Sequence, residues 1–238
     1  MDFGCSSRDY AAHRKGFPPS FFVRVPLTGR VLDLGTGTGT LARGYRERGA
    51  ATVALDLSLP MLRAAQGAGA RVAARAERLP FPARAFDAVT AGQCWHWFDG
   101  AAAADECLRV LRPGGTLVIA HFDYLPDRPG LAAETEKLIL RFNPEWRMAG
   151  GNGLHEEWRP QLHQFEDVRS FFYEETVGYS REAWRGRMRA CNGALAVRDD
   201  AVRARLDEAI GDMVASLDEP LLVPHMVFVM SGRKRLAL

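Results

Sequence analysis

Short apolar runs alternate with amphipathic stretches through the first half of the chain. The runs have the length and character of buried strands, and they are Val31–Leu34, Thr52–Leu55, Val72–Ala73, Phe86–Thr90 and Thr116–Ala120. Segments with helical features lie between several of them. Strands that alternate with helices predict a parallel sheet with helices on both faces. The pattern therefore predicts an α/β protein with a doubly wound sheet.

Capping and breaking residues mark the helices of this half. The first helix is expected over Leu41–Arg48, and the Ser58 side chain can cap the next one. A further helix, Ala101–Leu111, is expected to stop at Arg112–Gly115, where Pro-Gly-Gly breaks the helix and makes a turn. Each helix is thus placed between two consecutive strands, as a crossover connection requires.

The pattern changes after Tyr124, where helical pieces, glycines and aromatic residues follow one another. A late helix, Asp199–Leu217, carries one apolar face, formed by Val202, Leu206, Ile210, Met213 and Leu217. The run Met226–Met230 predicts a final strand, which we pair with Ser170–Val177. We therefore expect seven strands in a mostly parallel sheet with its last strand antiparallel, plus a helical lid insertion over the ligand edge.

These patterns predict one domain with additions to a central core. Residues 1–28 are expected to form an N-terminal lid helix, and residues 29–124 the ligand-binding core. Residues 125–238 are expected to supply a helical substrate-binding insertion and the antiparallel strands that complete the same domain.

The charge balance excludes several partners. The 238 residues include 31 Lys+Arg and 29 Asp+Glu, and a net charge of +2 is too small to indicate a nucleic-acid surface. No apolar run approaches the roughly 20 residues of a membrane span, and the first residues lack the pattern of a signal peptide. We expect a cytoplasmic protein with no nucleic-acid or membrane partner.

The cysteines do not form a recognisable disulfide or metal pattern. Cys5, Cys94, Cys107 and Cys191 include no CxxC pair, and no histidine lies at zinc-finger spacing from one of them. Reduced, mostly buried thiols are favoured, and no metal is expected.

A glycine-rich loop follows the first strand and carries most of the functional information. Gly35, Gly37 and Gly39 allow the backbone to approach a ligand, because no Cβ intervenes. Asp56 closes the next strand, where a carboxylate can accept hydrogen bonds from both hydroxyls of a ribose. The alternative is that the glycines only make a tight turn. The combination favours a nucleoside-containing ligand on a Rossmann-like core.

The spacing of the glycines distinguishes two such ligands. A dinucleotide fingerprint needs G-x-G-x-x-G, and its last glycine position is Thr40 here. Asp33, inside the strand, would repel a pyrophosphate but could hold a methionine ammonium through the loop backbone or a water. The loop therefore favours S-adenosylmethionine (SAM) over NAD as the cofactor.

The motifs from residue 31 to about 122 resemble those of class I SAM-dependent methyltransferases. In that family the second-strand acid binds the ribose, nearby apolar residues line the adenine, and a segment like Ala76–Phe81 contacts the adenine edge. Arg75 departs from the pattern, since many relatives carry an acid there. The cofactor-binding residues that the resemblance implies are Asp33, Gly35, Thr36, Gly37, Gly39, Asp56, Leu57, Met61, Ala76, Glu77, Gln93 and His96.

Polar and aromatic side chains follow the fourth strand, where open α/β sheets bind their ligands. Gln93-x-x-His96-Trp97-Phe98 is similar to a subgroup of small-molecule methyltransferases that includes trans-aconitate methyltransferase. The similarity implies that His96 lies beside the methionine part of SAM and the acceptor, and His96 is our candidate general base. Trp95 and Trp97 are candidate substrate-binding residues, although one of them is expected to be core.

Other basic residues have two interpretations each. Tyr10 and Arg14 share a helical face and resemble the subgroup's lid helix, which would bind the SAM carboxylate or an acidic acceptor; a solvated surface helix is the alternative. Three arginines at helical spacing can line an anion pocket, although a solvated stripe is favoured, and they are Arg181, Arg185 and Arg189. Ordinary surface, pocket or packing roles are expected for His121, His155 and His163.

The resemblance implies a SAM-dependent methyltransferase that acts on a small molecule, at an oxygen of a carboxylate or hydroxyl, by in-line displacement. The alternatives are methylation of a protein or RNA, a non-catalytic SAM-binding regulator and, more remotely, a nicotinamide oxidoreductase.

Overall fold

The computed structural model describes residues 15–236, and within them the sheet has seven strands. The strands are β1 (Arg30–Leu34), β2 (Ala51–Asp56), β3 (Ala70–Ala73), β4 (Phe86–Gly92), β5 (Leu111–Tyr124), β6 (Glu166–Tyr179) and β7 (Leu221–Arg233). Their order is β3-β2-β1-β4-β5-β7-β6, and the pairs from β3 to β5 are parallel. The predicted doubly wound sheet with an antiparallel end is confirmed.

Four of the α-helices that the structure describes begin with a side-chain cap. The α-helices of the described residues are α1 (Pro19–Arg24), α2 (Thr40–Arg46), α3 (Leu59–Ala64), α4 (Gly100–Val110), α5 (Leu131–Phe142), α6 (Arg181–Arg189), α7 (Asn192–Leu195) and α8 (Asp200–Ala215). Short 3₁₀ helices cover Trp95–Trp97 and Glu156–Leu162. The predicted Ser58 cap is confirmed, because its Oγ accepts a hydrogen bond from the Met61 amide at 3.5 Å.

Residues 112–115, predicted to form a turn, are instead an irregular first part of strand β5. Helix α4 ends at Val110, and β5 begins at the next residue. The register against β4 shifts between Phe86 and Ala88, and Gly114 has a φ of 77°. A step of two residues on β4 corresponds to a step of five on β5, and Gly114 in the left-handed region lets the chain bend within this irregular stretch.

The apolar face of α8 differs from the predicted one. The helix ends at Ala215, so Leu217 lies beyond it and is 37% exposed. The buried residues of the helix are Leu206, Ile210 and Val214, spaced four apart on one face. Including Leu217 in the face was wrong because it assumed a longer helix.

The chain divides into two compact units. Among the described residues, one comprises 16–122, 155–172 and 227–236 and contains the glycine loop. In it, small side chains let α2 and the segment after α3 approach β2 closely, and they are Ala42, Ala54, Ala65 and Ala68. The other unit includes residues 123–154 and 173–226, and its core contains Trp184, Tyr179 and Ile210. The domain boundaries proposed from the sequence stay a prediction.

The cysteines in the described part of the chain are buried, as their residue type favours. Cys94, Cys107 and Cys191 are free and buried, while Cys5 lies outside residues 15–236. No helix of the described residues combines the length and the apolar character that crossing a bilayer requires.

Candidate active site

The glycine loop leaves the carboxyl end of β1 and is fixed to the end of β2. Gly35, Gly37 and Gly39 have φ values of 54°, 56° and 79°, which L side chains rarely adopt. The Thr36 amide donates to the Leu55 carbonyl at 2.9 Å. The loop therefore presents backbone rather than side chains toward the ligand edge of the sheet.

Asp56 connects this loop to the start of α3. Its Oδ2 accepts a hydrogen bond from the Gly37 amide at 2.8 Å, and its Oδ1 accepts one from the Ser58 amide at 2.8 Å. Each carboxylate oxygen has a second lone pair for a ligand. The carboxylate thus lies at the loop with capacity to accept hydrogen bonds from ribose hydroxyls.

The surroundings of the loop fit a nucleoside-containing cofactor. A Cβ added to Gly37 would meet no described atom within 4 Å, so the loop leaves open space there. Leu57 is 64% exposed beside Asp56, while Met61 and Ala76 are almost fully buried. A carboxylate that accepts hydrogen bonds, an open backbone and an adjacent apolar surface form the combination that a ribose with an attached base requires.

Asp33 lies beneath the loop and is 1% exposed. Its Oδ2 accepts from the Thr36 hydroxyl at 2.6 Å, and its Oδ1 accepts from the Thr90 hydroxyl at 2.7 Å. Burial raises the pKa of Asp33 to about 6, although the two hydroxyls oppose the shift. The carboxyl group therefore changes charge close to physiological pH, and its predicted hold on an ammonium stays a prediction.

The segment after β4 packs directly against the glycine loop. A Cβ added to Gly35 would lie 2.7 Å from the Cys94 Cβ and 3.2 Å from the Phe98 ring. The Cys94 thiol donates to the Leu34 carbonyl at 3.2 Å. Only glycine at position 35 permits this approach, which brings the predicted cofactor loop and the predicted acceptor segment together.

Gln93 occupies a strained position at the start of that segment. Its φ is 64°, and its amide donates to the Ala120 carbonyl at 2.9 Å. Its side-chain nitrogen donates to the Phe122 carbonyl. Its Oε1 is buried and has no hydrogen-bond partner among residues 15–236. A strained backbone and an unsatisfied polar atom are typical of a functional site.

The two tryptophans of the segment have different environments. Trp95 is 1% exposed, and its Nε1 donates to Gln161 Oε1 at 2.7 Å. Trp97 is 47% exposed. Trp95 is therefore a packing residue in this structure, and Trp97 has the surface available for a ligand.

Three imidazoles come together at the same edge, which we term the histidine cluster: His96, His121 and His155. The His96 and His121 ring centroids are 6.0 Å apart, and those of His121 and His155 are 4.3 Å apart. Sequence reasoning had singled out only His96. His96 lies in the first 3₁₀ helix, His121 near the end of β5, and His155 directly before the second 3₁₀ helix, and no local motif connects them. No group of three or more His, Cys, Asp or Glu side chains within the described residues is arranged to hold a metal ion.

The remaining candidates are distributed as follows. Ala76 is buried, and Glu77 accepts a hydrogen bond from the Asp99 amide at 3.1 Å. Tyr10 and Arg14 lie outside the described residues. Two of the three arginines at helical spacing in α6 form ion pairs. Arg185 and Arg189 both pair with Asp207, at 2.6 and 3.2 Å.

The chain is similar to known proteins. The family model described as "Methyltransferase domain" matches residues 32–119. A malonyl-[acyl-carrier protein] O-methyltransferase of Pseudescherichia vulneris is 31% identical over 88% of this chain and 77% of its own length. A methyltransferase of Mycobacterium bovis is 37% identical over 59% of this chain, and the match covers 60% of that protein.

A solved structure shows the same fold. It belongs to a putative type II methyltransferase from Anaeromyxobacter dehalogenans, with a TM-score of 0.72, 23% identity and coverage of 94% of this chain and 99% of that one. At this identity the likeness extends to the fold alone. The glycine loop, Asp56 and the β4 segment all lie within or beside the region that the family model matches.

Proposed function

This chain belongs to the class I SAM-dependent methyltransferases, and on that premise we propose that it methylates a small molecule at an oxygen of a carboxylate or hydroxyl. The observation that carries the proposal is the packing of the acceptor segment against the cofactor loop at Gly35. Cys94 and Phe98 make this contact, and His96 and Trp97 lie between them in the chain, which supports the proposal that these two residues act near the bound SAM.

The residues proposed to hold the cofactor divide by its parts. Asp56 would accept the ribose hydroxyls, the open backbone at Gly37 would face the nucleoside, and Leu57 would contact the adenine. SAM, when bound, supplies a methyl group on a sulfonium whose leaving group is neutral. The protein therefore needs mainly to align the acceptor oxygen with that methyl group, and such positioning lowers barriers by about 7–11 kcal/mol.

Oxygen as the attacked atom is supported by one relative. The name of the Pseudescherichia vulneris relative specifies O-methylation. The small net charge of +2 favours a small acceptor over a polynucleotide. We keep the substrate-contact hypothesis for Trp97 rather than Trp95, and we place the reaction in the cytoplasm, where buried free thiols stay reduced.

Calorimetric titration with SAM, S-adenosylhomocysteine and NAD tests whether the protein binds SAM as its cofactor. We expect micromolar binding of the first two ligands and none of NAD. A screen of acceptors with methyl-labelled SAM then tests transfer. Binding of NAD alone would overturn the proposal, and SAM binding without transfer to any small acceptor would favour the regulatory alternative.

Replacing His96 by alanine is expected to lower kcat by about 100-fold with little change in SAM affinity, because a misalignment of the acceptor by about 1 Å costs about 10²-fold in rate. Steady-state kinetics and calorimetry measure the two effects. His163→Ala is the matched control, since His163 is exposed and its Nδ1 lies 3.2 Å from the Pro160 carbonyl. An equal loss of affinity and turnover in His96→Ala would assign His96 to cofactor binding alone.

The charge of Asp33 is expected to make SAM binding depend on pH. With its pKa raised to about 6, Asp33 is protonated in the free protein below that pH. A bound ammonium favours the charged carboxylate, so binding at lower pH must release the proton. SAM affinity should fall by up to about tenfold per pH unit below 6. Calorimetry between pH 5 and 7 measures the slope, and Asp33→Asn should flatten it. Identical slopes for both proteins would show that Asp33 does not sense the ammonium.

A further inference from the structure

His155 has the environment of an oriented base. Its Nδ1 lies 3.0 Å from Glu157 Oε1. A carboxylate only accepts hydrogen bonds, so Nδ1 carries the proton and Nε2 of the neutral ring keeps its lone pair. The ring stacks on Trp158 at 4.2 Å with an interplanar angle of 2°. The carboxylate and the indole together fix the tautomer and the plane of the imidazole.

The lone pair on His155 Nε2 receives no hydrogen bond from the described residues. Nε2 is buried and has no hydrogen-bond partner among residues 15–236. The side chain as a whole is 21% exposed, so the buried nitrogen is its inner end. Buried polar atoms are paired in nearly all proteins, and a native exception indicates a ligand or a catalytic role. A donor is therefore missing at this nitrogen.

A series of contacts connects His155 to the cofactor loop. Cys94 packs on Gly35, and the 3₁₀ helix that contains His96 begins at the next residue. The rings of His96 and His121, and then of His121 and His155, are the contacts of the histidine cluster. The unsatisfied nitrogen thus belongs to a ring that two ring contacts connect to the predicted acceptor segment.

We propose that His155 is the general base of the reaction, positioned by Glu157, and that the acceptor is a hydroxyl-bearing molecule. The inference rests on the proposed methyl transfer and narrows its acceptor from two classes to one. A carboxylate acceptor is already ionised at neutral pH and has no proton to give to Nε2. A phenol or alcohol donates the hydrogen bond that the nitrogen lacks.

Methyl transfer to the hydroxyl balances with the acceptor, SAM and His155 alone. The acceptor oxygen forms a bond to the methyl carbon while the carbon–sulfur bond breaks, and that electron pair stays on the sulfur of S-adenosylhomocysteine. The O–H proton passes to His155 Nε2, which becomes an imidazolium and later releases the proton to solvent. His96 is left to orient the acceptor.

Nitrogen NMR of the imidazoles tests the base without any turnover. In long-range ¹H–¹⁵N spectra at pH 8, the resonances missing from His155→Gln assign this ring. We expect a protonated Nδ1 and an unprotonated Nε2 in the wild-type protein. A proton on Nε2 would overturn the proposal, whatever the acceptor is.

Matched acceptors test the substrate class. Wild-type protein with labelled SAM is offered phenol, 2-naphthol and octanol beside benzoate, 2-naphthoate and octanoate. We expect transfer to members of the hydroxyl set only. Transfer to the carboxylates alone would overturn this inference and leave the proposed methyltransferase function standing. SAM binding without transfer to either set would contradict the proposed function, and the inference would fall with it.

Variants separate the chemical role from a structural one. On the hydroxyl probe, His155→Gln should lower kcat by about 100-fold or more with SAM affinity unchanged, whereas His163→Gln should match the wild type. Glu157 is 63% exposed, so Glu157→Ala should reduce kcat by no more than about fivefold. Unchanged kcat in His155→Gln, or a loss confined to KM, would overturn the assignment.

Discussion

Replacing Asp56 by alanine is expected to weaken SAM binding by at least about 100-fold. Hydrogen bonds to a charged group contribute about 1.5–3 kcal/mol each, and two ribose hydroxyls would lose theirs, which corresponds to that factor or more. The same carboxylate receives the Gly37 and Ser58 amides, so its removal also loosens the loop. Isothermal calorimetry with SAM and S-adenosylhomocysteine measures the loss.

A second aspartate provides the control for general destabilisation. Asp87 accepts a hydrogen bond from the Arg30 amide and pairs with Arg112, both at 2.7 Å, at the opposite ends of β1 and β4 from the loop. Asp87→Ala should lower the melting temperature without changing SAM affinity. Asp56→Asn keeps one acceptor oxygen and should fall between the wild type and alanine. Wild-type affinity in Asp56→Ala would show that the ribose is held elsewhere.

The cofactor half was predictable because its signals are consecutive in the chain. A strand, three glycines and an acid at the end of the next strand lie within about 25 residues, and parallel pairing of β1 with β2 forces them to one edge. The Ser58 cap was predictable for the same reason, since a cap depends on its immediate neighbours.

The acceptor side depends on packing between distant segments, and its prediction was correspondingly incomplete. Trp95 and Trp97 are chemically alike and only two positions apart, and only the fold buries the first and exposes the second. His155 meets His121 across the sheet edge without a shared motif. A residue's tautomer, orientation and missing partner are properties of tertiary contacts, so the sequence assigned His155 only an ordinary role.

A side chain at Gly37 is expected to exclude the cofactor while the fold survives. A Cβ there meets no described atom within 4 Å, so the space it would take is the space proposed for the nucleoside. We expect Gly37→Val to weaken SAM binding by about 100-fold or more, because the valine side chain would overlap the nucleoside. The contacts between the ligand and the loop that would be lost are of the order of 3 kcal/mol.

The strain of such a substitution has a matched control in the same unit. Gly49 has a φ of 90°, beside 56° at Gly37, and a Cβ added to it likewise meets no described atom within 4 Å. Valine in the left-handed region is unfavourable at both positions by about 1–2 kcal/mol or more, so both variants should melt earlier by similar amounts. Only Gly37→Val should lose SAM binding, because Gly49 follows α2 rather than the cofactor loop. Equal loss of SAM affinity in both variants would attribute the effect to destabilisation. Unchanged SAM affinity in Gly37→Val would show that the nucleoside does not bind at this loop.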